Sequence, residues 1–180
     1  VKKILDDLMV TNKGWQMERE EYEYICSFLG GKNFLVFGTG NDTPLWRTAN
    51  ENGFNVFLED QSQWINKTDT DVFEVKYSTY RSEHKRLLEE YKKEKFKNLK
   101  MSLPKIVMET NWDCIFVDAP VGKNDLSPGR MQSIFMAKIL SNKNTDIFVH
   151  DCDRTVEDTY TKEMFKVFVK QLKKLRHVKI

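Results

Sequence analysis

NFLVFGTGNDTPLW, residues 33–46, decides the fold. A continuous apolar run ends at Gly38, a Gly-x-Gly turn follows, and Thr43-Pro44 supply an N-cap residue and a first-turn proline. The stretch therefore reads as strand, tight turn, helix, with the helix (43–52) stopped by Gly53. Outward from it, FNVFLED (54–60), VFEVKY (72–77), WDCIFVDAP (112–120) and DIFVHD (146–151) repeat the same apolar character. Runs this apolar suit parallel strands covered on both faces. Between them lie helical patterns. Residues 16–29 space Met17, Tyr22, Ile25, Phe28 and Leu29 and are stopped by Gly30-Gly31. Residues 81–97 carry Leu87, Leu88 and Tyr91, and residues 128–141 open with Pro128. A last helix is expected over 157–175, followed by RHVKI (176–180) as a terminal strand. This alternation predicts an α/β fold with a doubly wound, mostly parallel, Rossmann-like sheet. In such sheets ligands sit beyond the carboxyl ends of the strands.

The 180 residues contain no repeat or low-complexity linker, so one domain is expected, with an N-terminal helical segment (1–31) before an α/β core (32–180). A net charge of +2 is too small to argue for nucleic acid, and the Lys-rich stretches at 92–100 and 170–179 read as solvated helix faces. Three cysteines without metal-ligand spacing argue against a disulfide framework and for a reducing compartment. No run approaches the roughly 18 apolar residues of a membrane span, so no membrane contact is expected within this segment. The chain opens on Val1 and is read as a piece of a longer protein: cytoplasmic surroundings are favoured, the Golgi lumen if an anchor precedes Val1. The sequence leaves the oligomeric state open.

At the cofactor end, Gly38, Thr39, Gly40, Asn41 and Asp42 form the loop expected to seat the donor, and Glu59 with Asp60 ends the next strand. An acidic residue about twenty positions after such a loop is the one that bonds ribose hydroxyls in nucleoside-binding sheets. Taken singly, the glycines make an ordinary turn and Glu59 a surface carboxylate; together, in the first βαβ unit, they read as a nucleoside site. A dinucleotide fits poorly. Position 43 is Thr where the fingerprint needs a third glycine, and Asp42 would repel a pyrophosphate. That disfavours a nicotinamide-dependent oxidoreductase. S-adenosylmethionine carries no phosphate and has a sulfonium and an ammonium, so an acidic loop suits it, and the fold expected is that of a class I S-adenosylmethionine-dependent methyltransferase.

At the catalytic end, one strand delivers Asp118 and the next delivers His150 and Asp151. O-methylation needs a group that orients a hydroxyl and removes its proton. Asp118 is the first candidate base and His150 the second, with Asp151 beside them. A buried histidine bonded to a carbonyl, or an Asp118 N-cap, are the plain alternatives; Pro120 and Gly122 argue for a loop after Asp118. Asp118, Asp151 and Asp153 are also hard oxygen donors able to hold a divalent cation, but Asp-x-Asp is common by chance and the metal-free reading is preferred. Arg130, Asp153 and Arg154 are candidate substrate contacts; the arginines could equally pair with Asp118 or Asp153 inside the fold. Trp46, Trp64 and Trp112 read as core, and Trp15 as an exposed aromatic able to close over the cofactor.

NFLVFGTGNDTPLW (33–46), VFLEDQSQWI (56–65), LPKIVMETNWDCIFVDAPVG (103–122), PGRMQSIF (128–135) and TDIFVHDCDRTVE (145–157) resemble, in order and spacing, the glucuronoxylan 4-O-methyltransferase family of polysaccharide biosynthesis. The resemblance spans roughly residues 30 to 165. It implies methyl transfer from S-adenosylmethionine to a sugar hydroxyl of a glycan acceptor. It further implies donor binding around Gly38, Gly40, Asn41 and Glu59, and acceptor handling around Asp118, Gly122, Pro128, Gly129, Arg130, His150, Asp151, Asp153 and Arg154. The loop after Asp118 carries Lys123-Asn124-Asp125 where the xylan enzymes are aromatic-rich, and the composition is rich in Lys and Asn. The acceptor thus stays open between glucuronic acid and another sugar such as rhamnose, as in a microbial or viral relative. The rival expectation is a non-catalytic glycan-binding or scaffolding module on the same fold.

Overall fold

In the computed structural model, residues 2–11, 17–66 and 68–180 are described; Trp15 lies outside them. Five strands of the sheet are parallel: β1 (Asn33–Phe37), β2 (Phe54–Glu59), β3 (Val72–Glu74), β4 (Cys114–Val117) and β5 (Asp146–Val149). β6 (Val167–Leu172) and β7 (Leu175–Lys179) complete a seven-stranded sheet of order β3-β2-β1-β4-β5-β7-β6, with β7 antiparallel to both neighbours.

The apolar runs predicted as strands are central because both faces of each are covered. In β1, Phe34 and Val36 pack into one core with Trp46, Tyr22 and Ile25. Their neighbours Leu35 and Phe37 point the other way, into a core with Leu87, Ile134 and Tyr160. The first face carries α1 (Lys2–Thr11), α2 (Arg19–Cys26) and α3 (Thr43–Ala49). The second carries α4 (His84–Lys92), α5 (Lys105–Glu109), α6 (Met131–Leu140) and α7 (Thr155–Met164). No described helix is long and apolar enough to cross a membrane.

Two expectations need correction. The helix expected over 157–175 ends at Met164, and residues 167–172 form β6, hairpinned to β7. The Lys-rich 170–179 stretch therefore lies on strands, and the 92–100 stretch lies beyond the end of α4 at Lys92, so neither is a helix face. The strand expected over 72–77 pairs only at Val72–Glu74, after which the chain leaves the sheet.

The strand order reverses between β1 and β4, and their carboxyl ends meet there. Gly38 has φ +117°, and a Cβ built on it would stand 3.1 Å from the Cβ of Ala119. The positive φ selects glycine at this position, and the Cβ contact would add crowding against Ala119. From the other side α6 braces the same corner, since the Ser133 hydroxyl donates to the Ala119 carbonyl at 2.6 Å.

Candidate active site

A cavity of about 430 Å³ opens at this switch point. Gly38, Thr39, Gly40 and Asn41 line one wall, Glu59 and Asp60 the next, and Asp118 with Ala119 the floor. The sequence-predicted cofactor residues thus share one cavity.

Glu59 has a more specific task than expected. One carboxylate oxygen accepts from both the Thr39 amide (2.8 Å) and the Thr39 hydroxyl (2.7 Å). The other accepts from the Gln61 amide at 2.8 Å. Glu59 therefore ties the glycine loop to the end of β2. Its neighbour Asp60 also lines the cavity, and its buried Oδ1 has no hydrogen-bond partner among the described residues. Burial, with the charge of Glu59 added, pushes the Asp60 carboxyl up. Such an atom is costly unless a ligand donor reaches it.

Asp42, the acidic end of the glycine loop, lines the cavity as well, from the start of α3. Two contributors were not legible as site residues: Tyr22 reaches the cavity from α2, and Trp64, 46% exposed, from the 3₁₀ turn after β2. Trp64 corrects the reading of all three strand-flanking tryptophans as core, which holds for Trp46 and Trp112, each 1% exposed. Burial and then the like charge of Asp118 push the Asp42 carboxyl up to about 7.

Below the cavity lies a compact charge network. His150 Nδ1 is 3.0 Å from Asp118 Oδ1, and Arg130 Nη2 sits 3.1 Å from the same oxygen and 2.8 Å from Asp151 Oδ2. Arg130 also donates to the carbonyls of Pro120 and His150. Burial alone would raise the Asp118 carboxyl, but the Arg130 guanidinium and the His150 bond outweigh it and hold it below its ordinary range. Burial would lower His150, and its bond to Asp118 reverses this and holds the imidazole up. Of the candidate catalytic residues only Asp118 faces the cavity. His150 is wholly buried and meets a carboxylate rather than a backbone carbonyl. Its Nε2 has no hydrogen-bond partner among the described residues. Asp151, 3% exposed, is taken up by Arg130 and Arg154.

The substrate-facing expectation for Arg130 is overturned in favour of internal pairing: the side chain is 1% exposed and its donors are spent on buried carboxylates and carbonyls. The expected metal set also changes. Asp153 is half exposed and reaches toward Lys174, whereas Asp118, His150 and Asp151 bring ligand atoms within 4.8 Å of one another. Arg130 already supplies positive charge at that point, so a dication there would have to share the carboxylates with a buried guanidinium.

The segment Val121–Lys123 divides the cavity from a second cleft of about 230 Å³: Val121 and Lys123 line the first space, Gly122 the second. Arg154 clamps the segment through the Val121 carbonyl at 3.0 Å, and Arg81 reaches the Gly122 and Lys123 carbonyls at 3.4 Å. Arg81, Asp153 and Arg154 all line this cleft. Arg81 was hidden in a charged stretch that reads as a helix face.

A mostly parallel sheet in this order, an antiparallel β7, and a cavity of glycine loop and acids at the switch point define a Rossmann-like methyltransferase fold. The chain belongs to the IRX15/IRX15L/GXM family, whose model matches residues 23–178. It is 37% identical to glucuronoxylan 4-O-methyltransferase 2 of Arabidopsis thaliana over 150 residues, covering 72% of this chain and 52% of that protein. It is 35% identical to arabinogalactan O-methyltransferase 2 of the same plant over 175 residues, covering 82% and 60%. Protein IRREGULAR XYLEM 15, also of Arabidopsis thaliana, is 35% identical over 150 residues, covering 69% and 47%. The chain thus spans about half to three-fifths of the length of these relatives.

Proposed function

We propose that this chain is the catalytic domain of an S-adenosylmethionine-dependent O-methyltransferase acting on a sugar hydroxyl of a glycan, with an acidic sugar such as glucuronic acid as the acceptor. The observation that carries the reading is the position of Asp118, whose carboxylate lines the cavity of the glycine loop and is gripped from behind by His150 and Arg130. When bound, the donor supplies an electrophilic methyl group. Thr39, Asn41 and Asp60 are the residues that would hold its nucleoside, with Glu59 fixing the loop that presents them. The fit to this donor rests on the acid-lined cavity and on the buried Asp60 oxygen that awaits a donor hydrogen.

Asp118 orients the acceptor hydroxyl and takes its proton. A carboxylate held in its ionised form is an adequate base here, because the hydroxyl becomes acidic as its oxygen bonds to carbon. His150 and Arg130 position that carboxylate and stabilise its charge. The acidic acceptor is supported by Arg81 and Arg154, which flank the second cleft and have guanidinium donors left over after clamping the Val121–Lys123 segment. The name IRREGULAR XYLEM 15 states no activity, so membership alone does not choose between an enzyme and a binding module. The cavity-facing Asp118 favours the enzyme.

Titration calorimetry tests the donor half. S-adenosylmethionine and S-adenosylhomocysteine are both expected to bind the folded domain at one site. Stabilisation by NAD with no response to either of them would contradict the reading.

A further inference from the structure

We infer that Asp42 is the counter-charge for the cationic methionine moiety of the donor, and that donor binding draws a proton off this carboxyl. The inference rests on the proposed donor and deepens it. Asp42 stands at the N-cap position of α3 yet makes no side-chain capping bond. Instead it lines the cavity and accepts a bond from the side chain of Trp46. The groups around it are mostly acidic or neutral. Tyr22 comes from α2, Glu59 and Asp60 from the end of β2, and Asp118 from the end of β4.

Of the other cavity carboxylates two are already engaged, and Asp60, whose buried Oδ1 has no hydrogen-bond partner among the described residues, is assigned to the nucleoside. Glu59 is spent on Thr39 and Gln61, and Asp118 on Arg130 and His150. The positive charges nearest the cavity are committed or peripheral. His150, whose charge acts on Asp42, gives its Nδ1 to Asp118, Arg130 is spent on Asp118 and Asp151, and Lys123 lies on the segment that forms the opposite wall. Asp42 is therefore a cavity-lining carboxylate without a cation to pair with among the described residues.

Near neutrality a proton stands in for that cation, since burial and the Asp118 charge lift the Asp42 carboxyl to about 7. A fixed positive charge entering the cavity favours the ionised form and expels the proton. After transfer Asp42 faces one positive charge fewer, regains its proton more readily, and holds the product less tightly. Discrimination between donor and product follows from this one side chain.

The test compares three ligands on the wild type and on Asp42→Asn by calorimetry. S-adenosylmethionine carries a net positive charge, S-adenosylhomocysteine keeps the ammonium but is a net-neutral zwitterion, and 5′-methylthioadenosine is the neutral nucleoside without the amino acid. Asp42→Asn is expected to weaken S-adenosylmethionine by about ten-fold, the loss of one charge-assisted contact, S-adenosylhomocysteine by less, and 5′-methylthioadenosine hardly at all. In the wild type, donor affinity is expected to be about five-fold lower at pH 6 than at pH 7, with a proton released into the buffer. The variant should lose both the slope and the proton.

Folding of the variant is checked by its ligand-free melting. A raised folded-state value means that the Asp42 contribution to stability is present below pH 3.8 and lost as pH rises through about 7. Asp42→Asn should therefore melt no lower than the wild type at pH 8. Equal weakening of all three ligands, or no weakening, overturns this assignment while leaving the donor site standing. Failure of the wild type to bind any of them removes the donor site and the assignment together.

Discussion

Asp118→Asn is expected to lower kcat for methyl transfer by roughly 10²- to 10⁴-fold, the range for loss of a general base, while donor affinity stays within a few-fold. Asparagine keeps the size of the side chain and can still meet His150 and Arg130, but it cannot take the acceptor proton. Asp118 is ionised across the neutral range because Arg130 and His150 outweigh its burial, so at saturating donor the base itself imposes no acid limb between pH 6 and 8. Single-turnover transfer of a labelled methyl group, paired with calorimetry for the donor, separates chemistry from binding. Full transfer by a folded Asp118→Asn protein would remove Asp118 from the chemistry. His150 would not simply inherit the role, because it is buried beneath Asp118 rather than facing the cavity.

The second large effect is on stability. Arg130→Met is expected to cost about 3–5 kcal/mol at pH 7, the usual consequence of stripping the partner from buried charge. Asp118 and Asp151 lose their ion pair, Glu157 loses a guanidinium 4.0 Å away, and two backbone carbonyls lose a donor. Total stabilities of single domains are about 5–15 kcal/mol, so the variant should be marginal. The pH sign is specific. Once unpaired, these buried carboxylates have raised folded-state values, so their contribution is present at low pH and lost as pH rises. The deficit should accordingly shrink between pH 7 and pH 5. Urea unfolding at the two pH values measures it; a variant as stable as the wild type at pH 7 would show that the network does not hold the fold.

The sheet was legible because its central strands are buried on both faces and so read as unbroken apolar runs, as in Phe34–Phe37 and Ile147–Val149. The hairpin at the sheet edge was not, for two physical reasons. β6 is the outer strand and Val167–Gln171 are exposed, so no buried face imposes an apolar period on it. Its two-residue turn places Lys173 at φ +51°, where Gly or Asn would have announced a hairpin. The residues therefore passed for the end of an amphipathic helix.

The site was legible in location and less so in orientation. Gly38–Asn41, Glu59 and Asp118 converge because strand ends of a doubly wound sheet must share a rim. Sequence spacing says nothing about which way a side chain turns once there. Arg130 turns inward to neutralise Asp118 and Asp151, and Asp153 turns outward. Glu59, expected to bond ribose hydroxyls, is engaged by Thr39 and Gln61 instead. Tyr22 and Arg81 enter from segments remote from their cavities in sequence, and only the packing of α2 and of the turn before α4 brings them in.

The central claim is methyl transfer to a glycan hydroxyl, and its most direct test is mass spectrometry of glycan acceptors after incubation with isotope-labelled S-adenosylmethionine. The account predicts a labelled methyl group on glucuronic acid residues of glucuronoxylan or arabinogalactan, formed roughly 10²- to 10⁴-fold more slowly when Asp118→Asn replaces the wild type. A wild-type domain that binds the donor yet leaves every acidic and neutral glycan unlabelled would contradict it.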